Sequence, residues 1–371
     1  MQENRFESLI PEPILKLKPY VAGKTIEDAK RDYNYNGEFV KLASNENPLG
    51  PSPKAVEAIK QQASGIHRYP DTAGRELRRL LAERHQVRVE NVILGGGSES
   101  IMSYIMRTFL RTDDEVLSVN STFVGFLVMA HSRVRPPVLV PLNDYRFDLE
   151  ALSDKITDKT KIVYLCNPNN PTGTYFTKQE LNRFLERLPE RVLVILDEAY
   201  YEFAHHLPDF PDSMVYRHDQ VITLRTFSKA YGLAGVRIGY GLAHDYLIKN
   251  LYKVKLPFDP SDLAQAAGCG AMRDQEFLEK TLRMNDEGRE YFYKEFDRLG
   301  LNYKPTASNF IMCIFESEQQ VEFVYEQMMR RGVIIRPLKG FGLPHCLRVT
   351  IGTMHECHRC VEAFEQVLAL L

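Results

Sequence analysis

Val192-Leu193-Val194-Ile195-Leu196-Asp197-Glu198-Ala199-Tyr200 is the stretch that decides the fold. Five apolar residues run without a break, where a half-exposed strand would alternate. A continuous run suits a strand buried on both faces, as in a mostly parallel sheet covered by helices. Similar runs occur at Asn91–Leu94, Glu115–Val119, Val138–Pro141, Lys161–Cys166, Val221–Leu224 and Arg237–Leu242. Helical patterns such as Ser98–Leu110 and Lys178–Arg187 lie between them. The alternation predicts an α/β architecture: a mostly parallel, seven-stranded sheet sandwiched by helices. Beyond about residue 262 longer helices appear, then strands near Asn309–Phe315 and Cys346–Ile351, which predicts a smaller α+β domain. Residues 1–40 are polar and carry Pro11, Pro13 and Pro19, so they read as an arm joining the smaller domain. The expected division is therefore 1–40 arm, 41–262 large domain and 263–371 small domain.

Composition narrows the function. A chain of 371 residues that is 44% hydrophobic can bury a large core. With 47 Lys+Arg against 49 Asp+Glu there is no basic excess of the kind nucleic-acid binding needs. No apolar run reaches the roughly 18–20 residues that cross a bilayer, and Met1-Gln-Glu-Asn-Arg5 lacks a signal peptide's apolar segment. Six scattered cysteines are too few for a disulfide scaffold. These features predict a cytoplasmic enzyme with reduced thiols and no nucleic-acid or membrane partner. His355, Cys357, His358 and Cys360 resemble a metal cluster, but they open a segment of helical spacing capped near Thr353. Four ligands so close on one helix cannot converge on a tetrahedral ion, so no metal is expected. His205-His206 is an isolated pair in a polar loop.

In such sheets ligands bind beyond the carboxyl ends of the strands, and four of these ends are unusual. One run leads into Gly95-Gly96-Gly97-Ser98-Glu99 and a helix, whose free N–H groups suit a phosphate; alone this is equally a tight turn. It lacks both the P-loop and the dinucleotide spacing. Another ends in Asn167-Pro168-Asn169-Asn170-Pro171-Thr172-Gly173, a composition that favours a turn in any case. Asp197 directly follows five apolar residues and is costly to bury unless a cation, a helix cap or an ion pair meets it. Lys229, in Thr226-Phe227-Ser228-Lys229-Ala230-Tyr231-Gly232-Leu233-Ala234-Gly235-Val236-Arg237, is flanked by small and apolar residues. Desolvation and the nearby Arg237 would lower its pKa and make it a nucleophile; a lone lysine there is otherwise a surface charge.

Together these residues answer the needs of pyridoxal 5'-phosphate: a lysine for its aldehyde, an acid for its ring nitrogen, donors for its ring oxygen and an anion cradle. Lys229, Asp197, Asn170 with Tyr200, and the Gly97–Glu99 turn with Arg237 supply them in that order.

The ordered set of glycine turn, N-P-x-N-P-T-G, D-E-A-Y and S-K-x-x-x-L-A-G-x-R resembles the fold-type-I, class-II pyridoxal-phosphate-dependent aminotransferases. Within them it is similar to the histidinol-phosphate aminotransferase family. Further matches are Pro19–Lys24, Ala43–Gly50, Arg68-Tyr69-Pro70, Ser308-Asn309-Phe310 and Leu347–Gly352, so the likeness covers nearly the whole chain. The resemblance implies that Lys229 is the Schiff-base lysine and proton shuttle. Asp197 would pair with the ring nitrogen, and Asn170 and Tyr200 would hold the ring hydroxyl. Backbone N–H groups of Ser98 and Glu99, after Gly97, would hold the cofactor phosphate with Ser228, Arg237 and Thr226. Phe123 would stack on the ring; the usual motif has Pro before Thr and often Tyr at the stacking position, so Ser121 and Phe123 depart from it mildly. Tyr69 would reach a neighbouring subunit's phosphate, implying a homodimer with shared sites. Arg348 would clamp a carboxylate, though a strand-edge charge is the plainer reading of its spacing alone. Arg336, Tyr20, Asn309 and Asn47 would face the substrate.

The implied reaction is ping-pong transamination of L-histidinol phosphate with 2-oxoglutarate, giving imidazole acetol phosphate and glutamate in histidine biosynthesis. Two rivals share the scaffold: an aromatic amino acid aminotransferase, and a decarboxylase of a phosphorylated amino acid. A non-catalytic regulator on this fold usually carries an additional DNA-binding domain, for which residues 1–40 are expected to leave no room, and Lys229, Asp197 and Arg237 are all present. The glycine turn's spacing argues against a dehydrogenase.

Overall fold

Each of the seven apolar runs becomes a strand of one sheet. The structure, a computed structural model, describes residues 6–17, 19, 23–33, 35, 37–132, 136–216 and 218–371. The strands are β1 (Val92–Gly95), β2 (Glu115–Val119), β3 (Val138–Val140), β4 (Thr160–Cys166), β5 (Leu193–Asp197), β6 (Val221–Thr226) and β7 (Gly239–Leu242). Their spatial order is β1-β7-β6-β5-β4-β2-β3. β2 to β6 pair in parallel, whereas β7 runs antiparallel to both β1 and β6. The physical reason lies in the link 227–238, which holds only a loop and a 3-10 turn, Ala234–Val236. A parallel return needs a crossover, usually helical. The middle of the sheet is dry: Ile162, Val163, Leu165, Val194 and Ile195 have no exposed surface. Each such side chain stabilises the fold by roughly 1.5–3 kcal/mol relative to exposure.

Helices Ser98–Phe109 and Lys178–Glu186 cover the sheet with apolar stripes. The first buries Ile101, Met102, Ile105 and Met106, the second Leu181, Phe184 and Leu185. Thr177 and Glu180 cap the second reciprocally, satisfying N–H groups the helix cannot bond itself. The register pairs Cys166 with Asp197 and Asp197 with Leu224. The carboxyl ends of β4 and β5 therefore finish level and β6 runs two residues further, to Thr226, so the loops carrying Asn170, Tyr200 and Lys229 leave from one rim.

The smaller domain is an antiparallel sheet of β8 (Asn302–Lys304), β9 (Phe310–Ile314), β10 (Arg336–Pro337) and β11 (Cys346–Thr350), in the order β10-β11-β9-β8. Helices Gln275–Leu299, Glu318–Arg330 and Met354–Leu368 share one core with it through Phe292, Phe296, Val324, Leu347 and Phe364. Val40–Lys41 pairs in parallel with Val333–Ile334, and Ala29 packs with Met329 and Ile334, so the helix Ile26–Asp32 and the strand Val40–Lys41 dock on this side. Helix Asp262–Met272 has its apolar contacts with Leu77, Leu81 and Phe227 of the larger side. In the terminal helix Thr353 and Glu356 form the reciprocal cap. Cys357 and Cys360 turn into the core while His355 turns out to Glu38, so these side chains diverge. Among the described residues no helix is long and apolar enough to cross a membrane.

Candidate active site

Alternation along β5 and the residue after it separates two carboxylates that are neighbours in sequence. Glu198 turns to one face of the sheet, where Arg225 holds it at 2.7 Å; both are almost wholly buried. Arg225 also reaches Asp212 at 3.1 Å and lies 3.3 Å above the Tyr201 ring. This is a structural ion pair. Asp197 turns to the opposite face and has no ion-pair partner among the described residues. Its Oδ2 accepts from the Tyr164 hydroxyl at 2.8 Å and its Oδ1 from the Ala199 N–H at 3.2 Å. Burial pushes its carboxyl up to about 6, against the pull of these two donors.

Asp197 opens onto a cavity of about 520 Å³ at the rim of the sheet, and Lys229 lines the same cavity. The Lys229 ammonium donates to the Ser44 carbonyl at 3.3 Å and sits 5.9 Å from the centre of the Tyr200 ring. Burial, and then repulsion by Arg348, bring its pKa down to about 8, with Glu46 opposing and Arg237 adding to the repulsion. A fraction of the amine is therefore neutral near physiological pH, as a nucleophile or base requires.

Gly97, Ser98, Glu99, Phe123, Asn170, Tyr200, Thr226, Ser228 and Arg237 line that cavity as well. Gly97 precedes the helix Ser98–Phe109 and gives no side-chain cap, which leaves first-turn N–H groups facing the cavity. Two glycines keep this end open. A Cβ on Gly97, whose φ is +84°, would lie 2.8 Å from Arg237 Nη2. One on Gly239 would lie 2.7 Å from the Ser98 nitrogen. Arg237 donates to the Ala234 carbonyl at 3.0 Å, reaches the Ser228 hydroxyl at 3.5 Å and meets Glu99 at 3.5 Å. Gly96 N–H donates to Asp259, which also takes the Tyr104 hydroxyl, so this carboxylate fixes the turn from behind.

Arg348 stands beside the cavity on β11. Its Nη1 donates to Asn170 Oδ1 at 2.5 Å and its Nη2 to the Ala43 carbonyl at 2.9 Å, and Phe310 and Phe341 flank the guanidinium. Since Asn170 Oδ1 accepts from Arg348, the amide N–H groups of Asn170 are the ones left to face a ligand. Other expected residues lie elsewhere. Asn47 is spent on a turn, donating to the Ala230 carbonyl and Thr281 hydroxyl and accepting from Leu49 N–H. Asn309 donates to the Asn45 carbonyl at 3.1 Å. Arg336 is half-buried near Gly23. Tyr69 is exposed outside the cavity, stacked on Phe258 at 4.1 Å. Tyr20 lies outside the described residues.

Sequence reasoning passed over Asn45 and Tyr164. Asn45, held at φ +56° by Thr350 and Asn309, donates to the Tyr200 hydroxyl oxygen at 2.9 Å. It thereby leaves the Tyr200 proton to point elsewhere. Its signal was a buried amide two residues before the one chosen. A groove of about 560 Å³ near Arg146 and Arg187 is lined by solvent-accessible ion pairs such as Arg146–Glu180 and by apolar side chains such as Phe147 and Phe184.

The family model for aminotransferase class I and II matches residues 37–364. The chain belongs to this family. As a class I and II aminotransferase it is similar to histidinol-phosphate aminotransferase 2 of Carboxydothermus hydrogenoformans, 39% identical over 98% of this chain and 100% of that protein. It is also similar to histidinol-phosphate aminotransferase of Moorella thermoacetica, 40% identical over 96% of this chain and 92% of that one. Among solved structures, histidinol-phosphate aminotransferase from Sinorhizobium meliloti in complex with pyridoxal-5'-phosphate superposes with a TM-score of 0.88 at 28% identity, covering 98% of both chains. Aspartate aminotransferase from Thermus thermophilus with maleate, at 21% identity and a TM-score of 0.82 over 96% of this chain and 99% of that one, shares the fold.

Proposed function

We propose that this aminotransferase uses pyridoxal 5'-phosphate to move the amino group of L-histidinol phosphate to 2-oxoglutarate, yielding imidazole acetol phosphate and glutamate. The observation that carries the reading is Asp197: a buried carboxylate with no ion-pair partner among the described residues, facing the same cavity as a lysine of lowered pKa. A protonated heterocycle meets that carboxylate's need. The cradle also fits a phosphate, because uncapped N–H groups, Ser228, Thr226 and Arg237 converge where any Cβ on Gly97 or Gly239 would intrude. The relatives' names support the choice of substrate pair.

Bound there, the cofactor supplies an aldehyde that condenses with amines and a cationic ring that draws electrons from the substrate α-carbon. The chain's own residues do the rest. Asp197 holds the ring nitrogen's proton by charge and hydrogen bond. Phe123 gives the ring a flat wall. Tyr200, its oxygen already accepting from Asn45, donates its own proton to the ring oxygen, and Asn170 donates from its amide. Lys229 would hold the group through its amine, and the same amine, its pKa lowered by burial, would be the base that moves a proton at the substrate α-carbon. Arg348 meets an oxyanion in either half-reaction, the carboxylate of glutamate or the phosphate of histidinol phosphate, since a guanidinium fork matches both. Arg336 lies on the neighbouring strand, its Cα in register with that of Arg348, and is our candidate for the substrate's far end.

We further propose a homodimer in which Tyr69, exposed and braced by Phe258, donates to the phosphate in the second copy's cavity. The enzyme would act in the cytoplasm on small molecules only. We place the boundary between the domains near Asp274, after the helix that packs on the larger side. Amino transfer from histidinol phosphate, tyrosine and phenylalanine, measured side by side with 2-oxoglutarate, tests the substrate. Faster turnover of either aromatic amino acid would give the site to that class, and carbon dioxide release would make it a decarboxylase.

A further inference from the structure

Tyr164 is a fully buried side chain hydrogen-bonded to Asp197, and nothing in its packing requires a hydroxyl. It lies on β4 with no exposed surface, its ring flat against Phe126 at 3.8 Å and 10°. A phenylalanine would make the same stack. A buried phenol costs free energy unless its O–H finds an acceptor, and here that acceptor is Asp197 Oδ2 at 2.8 Å. The carboxylate gains in turn. Taken from water it needs strong donors, and an O–H donating to a charged oxygen is stronger than a neutral pair. Among the described residues only Tyr164 and the Ala199 N–H donate to it, one on each oxygen. The orientation of the carboxylate is thus fixed from both sides.

We propose that Tyr164 is a positioning residue that keeps Asp197 ionised and aimed into the cavity, so that a proton shared with a bound heterocycle rests on the ring nitrogen. This rests on the cofactor reading above. Apart from the Ala199 N–H, which no side-chain substitution removes, the groups around Asp197 leave this task to Tyr164. Cys166, beside it on β4, is a buried thiol whose pKa burial pushes up, so it adds no charge. Glu99 from the helix after the glycine turn and Glu198, the residue after β5, both oppose ionisation. Lys229 favours ionisation across the cavity, but condensation with an aldehyde would occupy its amine. Tyr200 is neutral, its own pKa raised by burial. Burial likewise holds the Tyr164 phenol well above its usual range, so it remains a donor throughout the working pH range.

The test compares wild type, Tyr164→Phe, Asp197→Asn and the double variant. The first readout needs no cofactor. Asp197 has a folded pKa above its unfolded one, so its contribution to stability is present below about pH 4 and lost as pH rises through about 6. Without the Tyr164 hydroxyl that loss continues to higher pH. The urea midpoint of Tyr164→Phe should match wild type at pH 5 more closely than at pH 8, and the difference should vanish in the Asp197→Asn background. The second readout is pyridoxal phosphate binding, followed by visible absorption from pH 5.5 to 8.5. The acid limb should move up by about one pH unit, with roughly tenfold weaker binding near neutrality. Equal pH dependence in all backgrounds would overturn the proposal. If wild type developed no visible band at all, the cofactor reading would fall and the ring-nitrogen part of the proposal with it. The cofactor-free melts would still decide whether Tyr164 sets the charge of Asp197.

Discussion

Lys229→Met should stabilise the cofactor-free protein at neutral pH while abolishing its chemistry. The lysine's pKa falls from 10.5 to about 8 on folding, which corresponds to about 3 kcal/mol held against the charged form. Below pH 8 the amine is charged in both folded and unfolded chains and the full penalty applies. Between 8 and 10.5 only the unfolded chain is charged, so the penalty shrinks, and above 10.5 it is gone. Methionine keeps most of the volume and removes the charge. It forfeits the contact to the Ser44 carbonyl, which was contributing about 1 kcal/mol. The expected gain at pH 7 is therefore about 2 kcal/mol. Urea unfolding of both proteins, followed by circular dichroism at pH 7 and pH 10, gives the difference and its pH dependence. The Met variant should be the more stable at pH 7 and lose that advantage by pH 10. A variant less stable at both pH values by the same amount would refute the claim that Lys229 is desolvated beside Arg348.

Three further outcomes follow from the geometry. Gly97→Ala places a Cβ against Arg237 at a backbone angle only glycine adopts freely; pyridoxal phosphate should bind at least about tenfold more weakly, with stability lowered by roughly 1–3 kcal/mol, as titration and melting would measure. Arg348→Lys cannot hold Asn170 and the Ala43 carbonyl while still presenting a fork, so steady-state kinetics should show KM for 2-oxoglutarate raised about tenfold or more. Arg225→Met leaves Glu198 buried and unpaired, costing about 3–5 kcal/mol by urea denaturation, and adding Glu198→Leu should recover much of that loss.

Much of the fold could be read because strands buried on both faces announce themselves. Glu115–Val119 begins and ends as the apolar run does, and Val138–Val140 and Leu193–Asp197 differ from theirs by a residue. The direction of β7 could not be read, since Arg237–Leu242 looks like its parallel neighbours and only the lack of a crossover distinguishes it. The helix Asp262–Met272 was hard to apportion because its small residues carry no sign of which domain they pack against. In the site, residues at strand ends stood out by chemistry: Asp197 after five apolar residues, Lys229 among small ones. Asn47 stood out as much as Asn45, yet one caps a turn and the other bonds Tyr200; motif membership does not say which way a side chain turns. Tyr164 was hidden by its strand, where a tyrosine reads as one more core residue until its hydroxyl is seen on Asp197.

That Lys229 and Asp197 grip one heterocycle between them is tested most directly by covalent trapping. The protein is incubated with pyridoxal phosphate, reduced with borohydride and digested, and the cofactor's mass is located among the peptides. Attachment at Lys229 in wild type, and its loss in Lys229→Met, is the expected result. A label on other lysines with Lys229 unmodified would show that this pocket does not hold the cofactor.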